Sequence, residues 1–209
     1  MKRGKVSNNV IRRLPRYLRK LDELEKSGVS RISSGELGQQ LGLTPSQIRQ
    51  DFSCFGEFGQ QGYGYNVESL YREIGKILGL DKQHNFVIIG AGNLGRALGN
   101  YMNFERRGFI FKGMFDANPE LVGKDVRGVK VMPMEQLESF IRENDIDIAV
   151  LTIPKTSAVE VADKLVANGI RAIWNFAHVD LNVPEGIQVE NVHLSDSLMK
   201  LSYNINRYN

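Results

Sequence analysis

The chain has 209 residues, 42% of them hydrophobic and 24% charged, with a formal net charge of +3; this is the balance of an ordinary globular protein with room for two small domains. Its apolar runs, such as Phe86–Ile89 and Ile146–Ile153, are too short to cross a bilayer, and its charged start lacks the apolar core of a signal peptide, so no membrane partner is expected. A single cysteine, Cys54, excludes an intrachain disulfide and fits a reducing, cytoplasmic setting.

The charge is uneven. Residues 1–80 hold thirteen Lys/Arg against eight Asp/Glu, whereas residues 81–209 hold fourteen against sixteen. Lys2, Arg3, Lys5, Arg12, Arg13, Arg16, Arg19 and Lys20 fall in the first twenty residues with no acid among them. A basic half joined to a mildly acidic one points to a nucleic-acid partner for the first, the alternative being a solvated tail.

Val10, Ile11, Leu14, Tyr17, Leu18, Leu21 and Leu24 recur at helical spacing up to Gly28, predicting an amphipathic helix. Pro15 suits it only in the first turn; elsewhere it kinks the helix. Ser33 and Glu36 have capping-box spacing before a short helix that Gly42 stops. Thr44, Pro45 and Gln47 then start another, running to about Cys54. Helix, three-residue turn and helix make a helix-turn-helix from about Tyr17 to Gly56, although small helical bundles share the pattern. Ile48 and Phe52 face the core; Ser46, Gln47, Arg49 and Gln50 are expected to be exposed, and Arg and Gln suit guanine and adenine edges in the major groove. Phe55–Tyr65 has glycine at 56, 59, 62 and 64, which forbids a helix. It reads as a wing hairpin in which Phe58, Gly59, Gln60, Gln61, Gly62 and Tyr63 approach DNA, or as a plain surface loop. A capped helix from Asn66 to Leu78 closes the domain.

From residue 81 the pattern changes. Phe86–Ile89 enters Gly90-Ala91-Gly92-Asn93-Leu94-Gly95, followed by Arg96 and a helical pattern of Leu94, Ala97, Leu98 and Tyr101. A strand, G-x-G-x-x-G and a helix form a dinucleotide fingerprint, with the helix N-terminus receiving the pyrophosphate. A second strand, Phe109–Phe115, ends in Asp116, 21 residues past Gly95, where a ribose-binding carboxylate belongs. The acid and the lack of a neighbouring Arg favour NAD+ and NADH over their phosphorylated forms. Strands at Val129–Val131, Ile146–Ile153, Ile170–Phe176 and Ile187–Val192 alternate with helices at Met134–Glu143 and Ser157–Asn168, predicting an α/β, Rossmann-type, doubly wound parallel sheet. Thr152-Ile153-Pro154 and Asn175-Phe176-Ala177 are expected at strand C-termini, where such sheets hold ligands. Ser195–Tyr208 reads as a terminal helix that needs a surface to bury Leu198, Leu201, Tyr203 and Ile205. His84, His178 and His193 show no metal-ligand spacing, and no catalytic constellation is evident, so neither a metal site nor an enzyme is expected. A small NAD-dependent oxidoreductase, a CoA-type ligand and a structural nucleoid protein are the competing readings.

The runs Ser46–Ser53, Phe55–Gly59 and Gly62–Val67, the Gly90–Gly95 fingerprint with Phe115-Asp116, and Asn175-Phe176-Ala177 resemble the redox-sensing transcriptional repressor Rex family along essentially the whole chain. The resemblance implies a homodimer whose winged domains (residues 1–80) bind a palindromic double-stranded operator. It implies that NADH and NAD+ compete for the Rossmann domains (81–193), NADH releasing the DNA, and that the C-terminal helix (194–209) is domain-swapped between subunits. By position it makes Arg19 a hinge residue, Tyr101 a neighbour of the nicotinamide, and Leu194 the apolar residue that the exchanged helix lends. Gln50 stands where many members have Lys, which predicts an A·T pair where those members read G·C.

Overall fold

The computed structural model describes residues 6–56, 58–60 and 63–207, without the side chain of Gln60; Lys2, Arg3 and Lys5, the expected wing residues Gln61 and Gly62, and Tyr208 lie outside the described residues. The chain divides into two compact units, up to Lys82 and from Gln83.

In the first unit, helix α1 (Asn8–Lys26) starts where the Ser7 hydroxyl accepts from the Val10 amide and stops at Ser27, before Gly28 at φ 76°. Pro15 lies inside the helix rather than in its first turn. It removes one backbone donor, but Leu14, Tyr17, Leu18 and Leu21 are buried on one face, and their packing carries the helix past it. Helix α2 (Ser34–Leu41) has both halves of its capping box, with Glu36 N donating to Ser33 Oγ at 3.1 Å and Ser33 N to Glu36 Oε2 at 2.8 Å. Helix α3 (Pro45–Ser53) follows Thr44, whose hydroxyl accepts from Gln47 N at 3.2 Å. The two helices pack closely because Gly38 has no side chain: a Cβ there would stand 2.5 Å from the Leu43 carbonyl oxygen in the turn.

Strands β1 (Arg31–Ile32), β2 (Gly59–Gln60) and β3 (Gly64–Asn66) form an antiparallel sheet in the order β1-β3-β2. The hairpin is the expected wing; β1 is an addition from the link between α1 and α2. Asn66 then caps helix α4 (Val67–Ile77), and Val67, Leu70 and Ile74 close the core beside Ile32, Leu37, Ile48 and Phe52.

The second unit contains strands β4 (His84–Ile89), β5 (Phe109–Asp116), β6 (Asp125–Val126), β7 (Val129–Pro133), β8 (Ile148–Leu151), β9 (Ala172–Asn175) and β10 (Gln188–Asn191). They pair in the order β10-β9-β8-β4-β5-β7-β6, all parallel except the β6–β7 pair. The sequence order therefore reverses at β4, the switch point where α/β sheets bind ligands. Helices α5 (Asn93–Gly99), α6 (Leu137–Glu143) and α7 (Lys155–Ala167) connect the strands. Successive residues of β4 serve opposite faces: Val87 and Ile89 join the cluster with α6 and α7, while Phe86 and Ile88 join the one containing Leu98 of α5. This two-sided burial makes the sheet doubly wound. Helix α8 (Leu194–Arg207) ends the described chain with no buried residue.

Candidate functional site

The recognition surface is built on α3. Ile48 and Phe52 are buried as expected, and Ser46, Arg49 and Gln50 are exposed. Arg49 Nη1 donates to Ser34 Oγ of α2 at 3.0 Å, while the Thr44 and Ser46 hydroxyls lie 3.0 Å apart. Gln47 departs from expectation. It is half-buried, and its Nε2 donates to Asp51 Oδ1 at 3.0 Å, so its amide is committed to holding the helix.

Asp51 is the residue the sequence did not reveal. It is fully buried, yet carries a bidentate pair with Arg13, Nε to Oδ2 at 2.6 Å and Nη2 to Oδ1 at 2.7 Å, and accepts from the Tyr17 hydroxyl at 2.6 Å. Burial by itself raises a carboxyl pKa, but the hydrogen bonds from Arg13, Tyr17 and Gln47 outweigh it and hold Asp51 below its ordinary value. The same burial and the bond to Asp51 push the Tyr17 phenol up, and the bond to Asp51 raises Arg13. The network fastens α3 to α1. Arg16 adds a bond from Nη2 to the Leu41 carbonyl at the end of α2. An open hollow of about 690 Å³ lies beside this network, lined by Ser7, Asn9, Arg13, Gln50, Asp51 and Cys54.

In the wing, Tyr63 is 69% exposed. Arg31 of β1, unremarked in the sequence, braces it: Nη1 donates to the Tyr63 carbonyl at 3.1 Å and the guanidinium stands 5.9 Å from the ring centre. Phe58 turns inward instead, edge-on to Phe52 with centroids 5.8 Å apart, and anchors the hairpin to the core. Arg19 is exposed on α1.

The glycine loop lies between β4 and α5. A Cβ on Gly95 would come within 1.9 Å of the Gly90 carbonyl oxygen, and one on Gly90 within 2.7 Å of the Thr152 carbonyl oxygen, whereas Gly92 faces open space. Two glycines thus close the turn and the third leaves backbone uncovered, the cradle that a pyrophosphate requires. Asn93 and Leu94 begin α5, and Arg96 Nη2 donates to Asn93 Oδ1 at 3.0 Å. Asp116 ends β5 beside the loop: its Oδ2 accepts from Ala91 N at 2.6 Å and its Oδ1 from Asn118 N at 2.8 Å. Thr152 follows β8 and donates from Oγ1 to the carbonyls of Ile89 and Gly90 at 3.0 and 2.9 Å, fixing the turn from the neighbouring strand.

Helix α5 stops at Gly99, so Tyr101 lies beyond it rather than on it. Tyr101 is 50% exposed and begins an aromatic chain through Phe104 (4.8 Å) and Trp174 (5.9 Å) to Phe176 (4.7 Å). Asn175 is buried and internally bonded to Ala177, Val179 and Asn191, bracing the loop after β9. Leu194 opens α8 at 59% exposure. Among the described residues, no helix is long and apolar enough to cross a membrane, and no group of three or more His, Cys, Asp or Glu is placed to hold a metal.

Residues 81–179 match the family model described as "CoA binding domain", and residues 5–53 match "Putative DNA-binding protein N-terminus". A redox-sensing transcriptional repressor Rex from Thermoanaerobacter pseudethanolicus is 60% identical, the match covering 98% of this chain and 92% of the relative. One from Clostridium perfringens is 54% identical over 98% of this chain and 97% of the relative. A solved structure described as RSP in complex with beta-NAD+ and operator DNA superposes with a TM-score of 0.94 at 58% identity, covering 98% of this chain and 94% of the other. RSP in complex with beta-NADH gives 0.92 at 56% identity, covering 98% and 96%. With this identity along nearly the whole chain, and with a winged helix-turn-helix and a dinucleotide cradle in place, the chain belongs to the family of redox-sensing transcriptional repressors named Rex.

Proposed function

We propose that the chain is a cytoplasmic, homodimeric repressor that holds a palindromic operator in its apo or NAD+ form and releases it when NADH binds. The observation that carries this reading is the cradle of Gly90, Gly92 and Gly95 beside Asp116 in the same chain as a winged helix-turn-helix. The related structures hold NAD+ with operator DNA in one case and NADH in the other.

Backbone amides at the start of α5 receive the pyrophosphate. Asp116 accepts from the ribose hydroxyls and repels a 2′-phosphate; it also speaks against a CoA-type ligand, despite the name of the matching domain model. NAD+ and NADH differ by one positive charge on the nicotinamide ring. Tyr101 and Leu194, which α8 brings from the other subunit, supply an apolar wall that penalises that charge, since an unpaired charge taken out of water is costly. Ser46, Arg49, Gln50 and the wing residues Gly59 and Tyr63 meet the operator, Gln47 and Phe58 support them from beneath, and Arg19 acts at the hinge. Recognition helices spaced by a whole DNA turn bind two half-sites, and other spacings do not. Moving the molecule from 1:99 to 99:1 between those states needs roughly 5.5 kcal/mol of differential binding, which two coupled sites share.

A mobility-shift assay with a palindromic operator tests this. Retardation is expected without nucleotide and with NAD+, and its loss with NADH. Retention at saturating NADH refutes the reading.

A further inference from the structure

We propose that His178 and His193 form a two-point chelate for a divalent transition-metal ion of the zinc and copper class, at the root of α8. Their Nδ1 atoms are 3.4 Å apart. The ring planes lie within 15° of each other, with centroids 5.5 Å apart. Since the nitrogens are nearer than the centroids, the Nδ1 corners face one another rather than the ring faces. A tetrahedral ion bound at about 2.0–2.1 Å from each imidazole nitrogen holds two such ligands about 3.3–3.4 Å apart. The pair is therefore already at chelating distance; because the two corners face head-on, each ring turns by roughly 35° to bring both lone pairs onto one tetrahedral ion. Imidazole suits zinc, copper and nickel.

The two backbones are held in place before any ion arrives. Buried Asn175 donates from Nδ2 to the Val179 carbonyl at 2.9 Å and to Asn191 Oδ1 at 2.8 Å, and its Oδ1 accepts from Ala177 N at 3.0 Å. Val192 N donates to the Asn175 carbonyl at 2.8 Å. His178 thus lies between two tied residues and His193 directly follows another. Without metal, one Nδ1–H donates to the other Nδ1. On binding, that proton moves through solvent to Nε2, so both rings ligate in the neutral form with no net proton released. Water completes the coordination, so the ion exchanges freely, unlike one in a four-ligand structural site. Its effect is to tie the loop after β9 to the first turn of α8. The fifteen-residue separation matches no ligand motif, and only the fold brings the rings together.

The test uses the full chain with Cys54→Ser, so that no thiol competes, titrated calorimetrically with Zn(II) at neutral pH. One ion per chain is expected, with affinity falling about tenfold or more in His178→Gln and in His193→Gln while their metal-free melting temperatures stay unchanged. Zn(II) is also expected to slow amide exchange over residues 191–197 in the parent alone. Electron paramagnetic resonance of the parent with Cu(II) is expected to report two imidazole nitrogens, a measurement that needs no histidine variant. Absence of Zn(II) uptake by the parent, an affinity in either variant equal to the parent's, or fewer than two nitrogens on Cu(II) overturns the proposal.

Discussion

At the scale of single residues, a carboxylate with no exposed surface governs the first unit. Asp51 is satisfied by Arg13, Tyr17 and Gln47, so Asp51→Asn leaves the Arg13 charge without its counter-ion and is expected to cost about 3 kcal/mol in a urea titration. The pH dependence has two signs. Asp51 titrates lower in the folded state, so its contribution is present above the ordinary carboxylate pKa of about 4 and is lost as pH falls through the lower folded value. Tyr17 titrates higher when folded, so its contribution is present below about pH 10 and is lost as pH rises beyond that. Melting curves against pH are expected to show both limbs, and Tyr17→Phe to weaken the alkaline one, of which Tyr65, also raised by burial, keeps a part. In the second unit, Thr152→Val keeps the shape but deletes the donor to Ile89 and Gly90; NADH affinity by fluorescence titration is expected to fall about threefold to tenfold. The fingerprint glycines and Asp116 were legible because their spacing is itself the signal. Asp51 and Arg31 were not, because an aspartate on a polar helix and an arginine in a link acquire meaning only from partners dozens of residues away; Thr152 was legible as a ligand-side strand end, but not as the donor to Ile89 and Gly90. Gln50, exposed on α3, is expected to give an A·T preference at its contact, by about 1–3 kcal/mol over G·C in a base-substitution binding series.

At the scale of elements, caps were the most reliable guide. Ser33 with Glu36, Thr44 with Pro45, and Asn66 each start a helix where the sequence places one. Strands β1 and β6, two residues each, are too short to show a period and form because a neighbouring strand offers an edge. Helix α5 ends earlier than its apolar spacing suggests: the chain leaves the helix at Asn100, and Gly99 lies so close to Val126 that a Cβ there would stand 3.0 Å from Cγ1. Helix α8 exposes Leu194, Leu198, Met199, Leu201, Tyr203 and Ile205, each by more than half. A row of apolar side chains of this size marks an association surface. Leu198→Asp combined with Leu201→Asp is expected to give a folded monomer by light scattering with loss of operator binding; a variant that remains dimeric contradicts the exchanged-helix reading.

At the scale of the whole molecule, the two units carry separate chemistries, and the proposed homodimer is what couples them. On that proposal a monomeric winged domain meets one half-site only, and nucleotide bound to a single Rossmann domain leaves DNA binding unchanged. Coupling is also reciprocal: if NADH weakens operator binding by some factor, operator weakens NADH binding by the same factor. Operator affinity measured by fluorescence anisotropy across a series of NADH/NAD+ ratios at fixed total nucleotide therefore tests the account most directly. A steep fall in affinity as NADH rises is predicted, abolished in Gly95→Ala, whose Cβ collides with the Gly90 carbonyl. An affinity indifferent to the ratio, or one falling equally in Gly95→Ala, contradicts it.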